Sequence, residues 1–246
     1  MPNDYFQFQQ FRIEQSQCAM KVSTDACLLG AAADLRGARR VLDIGTGTGL
    51  LALMAAQRQP LATIEAIEIE PAAAAQAAAN VMASPWADRI RVHPLSLAQF
   101  AATAPAPFDH VLCNPPFFQD SLLSQQAARR TARHASAASL PLAELASFAT
   151  RFLTSAGRLT LLLPPPELRR FAAEAGPRGL LMQTDLQVRH RAGGRVTRHI
   201  AAFGRGLAPA PTDPRELLIQ DAAGGYSADF KALLSGFYLH LEAESE

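Results

Sequence analysis

Short apolar runs alternate with helix-prone runs from residue 40 to residue 163. Arg40-Val41-Leu42-Asp43-Ile44 is apolar and stops at glycine-rich sequence, which predicts a buried strand. Leu50 to Gln57 predicts a helix that begins at Gly49. Ala62 to Ile69 predicts a second strand. Pro71 just beyond it suits a first helical turn, and the alanine-rich run Ala72 to Val81 is strongly helix-prone. Ile90 to His93 predicts a third strand, and Phe108 to Cys113 a fourth that stops at Asn114-Pro115-Pro116. Leu142 to Leu153 predicts a helix, and Arg158 to Leu163 a fifth strand ended by three prolines.

This alternation favours a mostly parallel sheet with helices on both faces, an α/β fold. After Pro164 the rhythm changes. Leu180 to Arg189 and Val196 to Phe203 flank Ala192-Gly193-Gly194, which predicts a hairpin and so an antiparallel ending to the parallel sheet. Leu207 to Pro214 is proline-rich and predicts a loop, followed by a short strand (Leu217 to Gln220) and a helix (Ala228 to Leu241). With no repeat, no low-complexity linker and 246 residues, the chain is expected to form one domain, residues 1–246.

Composition narrows the class. No apolar run reaches the length of a membrane span, and Glu65, Glu68 and Glu70 interrupt the longest Ala/Ile-rich stretch. Met1 to Gln10 is polar and aromatic, without the basic and apolar regions of a signal peptide, so a cytoplasmic protein is expected. Three cysteines without close spacing argue against a disulfide framework, and neither they nor the six histidines show metal-ligand spacing. No metal is therefore expected. A net charge of +1 excludes a uniformly basic nucleic-acid binder. The local pattern differs: 21 of the 23 basic residues are Arg, since only Lys21 and Lys231 are lysines. No acid falls between Asp120 and Glu144, around Arg129, Arg130 and Arg133, or between Asp185 and Asp213, around Arg189, Arg191, Arg195, Arg198 and Arg205. Clustered Arg suits phosphate, but it equally suits a solvated Arg-rich surface, and charge alone leaves both open.

Val41-Leu42-Asp43-Ile44-Gly45-Thr46-Gly47-Thr48-Gly49 carries the first candidate chemistry. Glycines after a strand allow a tight turn and a close approach to a ligand, and the next helix aims its positive end there. A nicotinamide fingerprint would need glycine where Leu50 stands, and a phosphate loop would need a lysine that is absent. Asp43 would repel a pyrophosphate but suits a cation, such as the ammonium and sulfonium of S-adenosylmethionine. Glu68, 19 residues past Gly49, is placed to accept hydrogen bonds from two ribose hydroxyls, with Ile69 against the adenine. The block resembles the first two motifs of class I S-adenosylmethionine-dependent methyltransferases. That resemblance implies a Rossmann-like, seven-stranded, mostly parallel sheet with an antiparallel last strand.

Asn114-Pro115-Pro116-Phe117 ends the fourth strand, where open α/β sheets bind ligands. Prolines fix the backbone and cannot donate, so their carbonyls stay free as acceptors. An amine on a conjugated ring is a poor nucleophile. If the Asn114 side chain and the Pro115 carbonyl accept its two hydrogens, electron density returns to nitrogen as it becomes tetrahedral. Pro116 stiffens the turn, and Phe117 can stack on a flat substrate. A plain strand-ending turn is the alternative for Asn-Pro alone. After a glycine turn of this type, the motif resembles that of amino methyltransferases acting on adenine, guanine or protein glutamine.

Gln17-Cys18-Ala19-Met20-Lys21-Val22-Ser23-Thr24-Asp25-Ala26-Cys27-Leu28-Leu29-Gly30 narrows that choice. So do Leu50-Leu51-Ala52-Leu53-Met54, Ser84-Pro85-Trp86-Ala87, Tyr226-Ser227 and Phe237-Tyr238-Leu239. From about Phe11 to His240 the chain resembles the bacterial valine-tRNA adenine-37 N6-methyltransferase family. The resemblance implies that residues 1–35 include a segment covering the cofactor, with Lys21, Val22 and Thr24 over it. Residues 36–206 would form the core and 207–246 a closing strand and helix. It also implies a cofactor contact for Asn114 and a flipped base facing Phe117 and Phe118. The polar, helix-poor stretch after the motif predicts a mobile loop around Arg129 to His134 that orders on RNA. Where related enzymes often carry an Asp for the cofactor adenine, this chain has Ser96, a weaker acceptor. tRNA is the expected partner, its phosphates held by Arg129, Arg130, Arg133, Arg189, Arg191, Arg195 and Arg198; nothing demands more than a monomer.

Other readings remain at this point: a protein-glutamine or rRNA-guanine methyltransferase with the same site, or a cofactor-binding module without catalysis. Smaller features have plain assignments. Cys113 is expected to be a buried strand end, His110 a strand residue, and Trp86 a cap at a helix–strand corner. Asn80 is expected to end the alanine-rich helix and could shape the cofactor pocket.

Overall fold

The computed structural model describes residues 4–18, 20–115, 140–206 and 214–241. Two short strands, β1 (Tyr5–Gln7) and β2 (Arg12–Glu14), pair antiparallel and precede α1 (Thr24–Ala32). Then follow β3 (Arg40–Ile44), α2 (Leu50–Arg58), β4 (Thr63–Ile67), α3 (Pro71–Met82), β5 (Ile90–His93), α4 (Leu97–Ala102) and β6 (Phe108–Cys113). The remaining elements are α5 (Leu142–Phe152), β7 (Leu153–Leu163), α6 (Pro165–Ala175), β8 (Leu180–Arg189), β9 (Val196–Arg205), β10 (Arg215–Leu218) and α7 (Ala228–Leu234).

The main sheet runs β10-β8-β9-β7-β6-β3-β4-β5. Only β9 is antiparallel to its neighbours, as the glycine hairpin predicts. The expected seven strands are present, and the closing strand joins the sheet as an eighth, parallel to β8 at its edge. From β3 the chain builds outward through β4 and β5, then returns to lay β6 and β7 on the other side. The order therefore reverses between β3 and β6, and the crevice outside those strand ends is where such sheets take ligands.

Alternation along the strands divides the core by face. Val41, Ile64, Leu112, Leu162 and Ile200 meet α1, α2 and α7 on one side. Leu42, Ile67, Val111, Leu161 and Phe203 meet α4, α5 and α6 on the other. Helix α2 is buried from Leu50 to Ala56, because α1 covers the surface that the sheet does not. Among the described residues, no helix is long and apolar enough to cross a membrane.

Several elements depart from the sequence reading: β1 and β2 are additional, β7 starts at Leu153 and β10 at Arg215. The three prolines after β7 start a helix as well as ending a strand: Pro164 is the N-cap of α6, and Pro165 and Pro166 occupy its first turn. Amides there have no intrahelical acceptor, so proline costs little. Ser96-Leu97-Ala98-Gln99 closes a reciprocal capping box that starts α4, an element that hydrophobic periodicity misses over six residues. The last helix, expected to reach Leu241, stops at Leu234; the amides of Phe237 and Tyr238 turn back onto the Leu234 carbonyl, and Phe237 returns to the core.

Helices α1 and α2 meet closely at Gly30, where an added Cβ would lie 2.5 Å from the Met54 sulfur. Met54 is fully buried and has no open space to enter. Gly30→Leu is expected to destabilise the protein by about 1–3 kcal/mol or more through overpacking. A urea midpoint equal to that of the parent would show that the two helices separate without cost.

Candidate active site at the strand switch

Parallel register brings the candidate residues together. Ile44 at the end of β3 pairs with Cys113 at the end of β6 and with Ile67 at the end of β4. Gly45, Asn114 and Glu68 are therefore the first residues past three adjacent strand ends, in strands spaced about 4.8 Å apart. None of this depends on sequence proximity, since the pairing alone converts positions 45, 68 and 114 into one row.

The glycine loop has an open side. Gly45 and Gly47 have φ of +70° and +55°, and a Cβ on either would meet no atom within 4 Å. Both the Gly45 and Thr46 amides donate to the Ile67 carbonyl at 3.0 Å, which binds the loop to the end of β4. Gly49 is the N-cap of α2, so the free amides of that helix start in the same cleft. The Glu68 carboxylate folds against the loop, accepting from the Gly47 amide at 2.9 Å and the Glu70 amide at 3.0 Å. Each oxygen keeps lone-pair capacity for a further donor. Ile69 beside it is 51% exposed, an apolar side chain held out of the core at the rim.

Asp43 lies beneath this loop, fully buried. Its Oδ2 accepts from the Thr46 hydroxyl at 2.5 Å, while Oδ1 is buried without a hydrogen-bond partner among the described residues. Burial pushes its pKa up to about 7, the Thr46 hydroxyl and the Ala52 amide work against that rise, and the Glu68 charge adds to it. An unpartnered buried carboxylate oxygen under an open glycine loop suits a bound cationic group. Cys113 is fully buried at the end of β6, and burial pushes its thiol well up, with Asp43 adding to the rise, which is the environment of a structural cysteine. Beyond it Asn114 is half-buried and Pro115 buried. Pro116, Phe117, Phe118, Arg129, Arg130 and Arg133 lie outside the described residues, as does the loop expected around Arg129 to His134.

A family model for the methyltransferase small domain matches residues 18–163. The chain is 40% identical over 236 residues to the tRNA1(Val) (adenine(37)-N6)-methyltransferase of Yersinia pestis (strain Pestoides F), covering 96% of this chain and 94% of that one. The counterpart in Yersinia pseudotuberculosis serotype O:3 (strain YPIII) is likewise 40% identical, with 96% and 92% covered. The chain belongs to the tRNA1(Val) (adenine(37)-N6)-methyltransferase family. The fold agrees with more distant methyltransferases. A predicted O-methyltransferase of Agrobacterium tumefaciens superposes with a TM-score of 0.67 at 22% identity, covering 87% of this chain and 96% of that one. The ribosomal protein L11 methylase of Lactobacillus delbrueckii subsp. bulgaricus gives 0.55 at 16% identity, with 79% and 84% covered.

Within this member of the tRNA1(Val) (adenine(37)-N6)-methyltransferase family, several candidate residues have structural partners. Ser96 caps α4, its hydroxyl accepting from the Gln99 amide at 3.2 Å, which leaves one lone pair for a further donor. Arg189 bonds Glu216 on the edge strand at 2.9 Å and also the Gly194 carbonyl. Arg198 bonds Asp25 of α1 at 2.8 Å. The acid-free stretch after Asp185 thus meets acids from other elements in space, and Arg189 and Arg198 each have a partner within the fold. Arg191 and Arg195 remain exposed at the hairpin tip, on the side where the parallel strands end. The Lys21 ammonium stands 3.8 Å from Asp4, the Val22 amide donates to Gln15 at 2.8 Å, and Thr24 begins α1. His110 is buried against the Thr160 hydroxyl at 2.8 Å, its pKa lowered to about 3 chiefly by burial and then by the Arg158 charge, so it stays neutral inside the sheet. Trp86 packs edge-on against Phe11. Asn80 does not end its helix. It sits inside α3 with its amide on the Glu14 backbone and the Thr48 carbonyl, a link that sequence periodicity does not reveal. Among the described residues, no group of three His, Cys, Asp or Glu could hold a metal ion.

Asp43 makes stability depend on pH. In the unfolded chain it ionises near the ordinary carboxylate value of about 4, whereas in the fold it holds its proton up to about 7. Between those values the folded state binds the extra proton, so this group's contribution falls as pH rises. Asp43→Asn is expected to be relatively more stable than the parent at pH 7.5 than at pH 4.5, measured as urea midpoints without ligand. A difference that does not change with pH would show that Asp43 is ionised throughout.

Proposed function

We propose that the chain transfers a methyl group from S-adenosylmethionine to the exocyclic N6 of an adenine in tRNA, namely adenine 37 of a valine tRNA. The observation that carries this reading is the alignment of the Asn114-Pro115 turn with the glycine loop across β6 and β3, in a chain whose named relatives share 40% identity over nearly their whole length. When bound, S-adenosylmethionine supplies an electrophilic methyl carbon on a sulfonium.

The chain's own residues do the rest. Asp43 offers its unpartnered Oδ1 to the cationic end of the cofactor. Gly45, Gly47 and Gly49 let the backbone approach, Glu68 takes the ribose hydroxyls, and Ile69 lies on the adenine. Lys21, Val22 and Thr24 cover the cofactor from the N-terminal side, and the hydroxyl of Ser96 keeps one lone pair for the adenine amine. Asn114 Oδ1 and the Pro115 carbonyl accept the two hydrogens of the target amine. Its lone pair is thereby turned toward the methyl carbon, and positive charge growing on nitrogen is stabilised as it forms. Holding the two reactants in line accounts for much of the remaining acceleration. The nitrogen held by Asn114 and Pro115 would receive the methyl group that the sulfonium gives up and would then release one proton to water. Pro116 fixes the turn, and Phe117 and Phe118 stack on the extruded base, as aromatic side chains do with unpaired RNA bases. Arg191 and Arg195 at the hairpin tip, with Arg129, Arg130 and Arg133, contact phosphates. Arg189 and Arg198, held by Glu216 and Asp25, flank that surface.

The test uses labelled S-adenosylmethionine and total tRNA lacking its own modifications, followed by nucleoside analysis. N6-methyladenosine is the expected product. Asn114→Ala should lower kcat by about a hundredfold or more, the loss seen when a preorganised transition-state partner is removed, and leave cofactor affinity within a few-fold. Label in rRNA or in protein glutamine instead of tRNA would overturn the substrate assignment, and full activity in Asn114→Ala would overturn the assigned role.

A further inference from the structure

Helix α3 is so rich in alanine that Asn80 stands out on it, for asparagine is a poorer helix former than the alanines around it. The side chain is 2% exposed. Its Oδ1 accepts from the Glu14 amide at 2.9 Å. Its Nδ2 donates to the Glu14 carbonyl and to the Thr48 carbonyl, both at 2.8 Å. One buried amide therefore spends both hydrogens and its oxygen on two backbone segments far apart in sequence. Thr48 lies in the glycine loop between Gly47 and Gly49, and Glu14 ends β2.

The second segment leads toward α1. Gln15, itself 5% exposed, accepts from the Val22 amide at 2.8 Å and so draws together the two ends of the stretch between β2 and α1. Ser23 follows as the N-cap of α1. Within the stretch, Cys18 lies close enough to Glu68 for that carboxylate to add to the rise of its pKa, a rise caused mainly by burial. Glu68 in turn accepts from Gly47. Asn80 thus joins the root of this stretch to the glycine loop, whose Gly47 amide Glu68 holds.

We propose that Asn80 is a positioning residue: it locks the stretch from Glu14 to Val22 to the glycine loop, and thereby sets the affinity for the S-adenosyl cofactor without touching the methyl, the sulfur or the base. This rests on the cofactor placement proposed above. Replacing Asn80 leaves the Thr48 and Glu14 carbonyls and the Glu14 amide without their partner, and the two halves of the cleft are free to separate. The energetic consequence falls on cofactor binding, since nothing in this link reaches Asn114.

The experiment combines calorimetry with S-adenosylhomocysteine, steady-state kinetics, and hydrogen exchange on the full chain. Asn80→Ala is expected to raise Kd for S-adenosylhomocysteine and KM for S-adenosylmethionine on the order of tenfold, the scale of one or two lost hydrogen bonds. kcat at saturating cofactor and KM for tRNA should stay within about twofold, because the transition-state contacts are untouched. A lower Tm with Kd unchanged would assign Asn80 to stability alone and overturn the proposal. Should the variant not fold, hydrogen exchange on the parent decides. S-adenosylhomocysteine should slow the amides of Glu14 and Val22 together with those of Gly47 and Gly49, and protection confined to the loop would overturn the proposal. Failure of the parent to bind S-adenosylhomocysteine at all would remove the cofactor reading itself, which is distinguishable from an unchanged Kd in the variant.

Discussion

The pairing of Ile44 with Cys113 across β3 and β6 is the constraint on which the rest of the site depends. Because the strands are parallel and in step, two loops that are distant in sequence leave the sheet at the same level. One is a glycine turn with an open face, and the other begins at Asn114-Pro115. Slipping that register by one residue would move every side chain of β6 to the opposite face. Val111 and Leu112, each fully buried on its own side of the sheet, make such a slip costly. The two hydrophobic cores thus serve function indirectly, by holding the register that aligns positions 45, 68 and 114.

Against this background Asp43 is a local conflict. A carboxylate with no access to water, and with one oxygen lacking a partner, is a poor choice for stability. Its position under the glycine loop makes sense if a cationic ligand completes its interactions. The fold carries a less stable resting state at this buried group, a pattern found where a binding site is built in advance. Asn80 is the opposite case: a buried polar side chain whose partners are all supplied by the chain itself.

Much of this was legible in the sequence, for identifiable reasons. Buried parallel strands are short apolar runs bounded by breakers, so β3, β4, β5 and β6 could be read, and Ala192-Gly193-Gly194 marked the hairpin that reverses β9. The glycine turn announced itself because unusual backbone demands leave unusual residues, here the positive φ of Gly45, Gly47 and Gly49. What stayed hidden depended on partners distant in sequence. Arg189 and Arg198 looked available because no acid lies near them in the chain, but Glu216 and Asp25 arrive from a sheet edge and from α1. Ser96 could have been read as a cap from Gln99 three residues on. Pro164-Pro165-Pro166 hid α6 because the same residues that stop a strand are tolerated in a helical first turn. Asn80 gave no periodic signal at all, since its role depends on two backbone segments that only the fold brings together.

The most direct test of the central claim, that the two strand-end loops form one methyl-transfer site, is a crystal structure of the chain with S-adenosylhomocysteine and adenosine. The account predicts the ribose hydroxyls on Glu68, the cofactor's ammonium near Asp43, and the adenosine N6 within hydrogen-bonding distance of both Asn114 Oδ1 and the Pro115 carbonyl while facing the sulfur. Cofactor seated away from the glycine loop, or an N6 amine bound elsewhere than at Asn114 and Pro115, would contradict it.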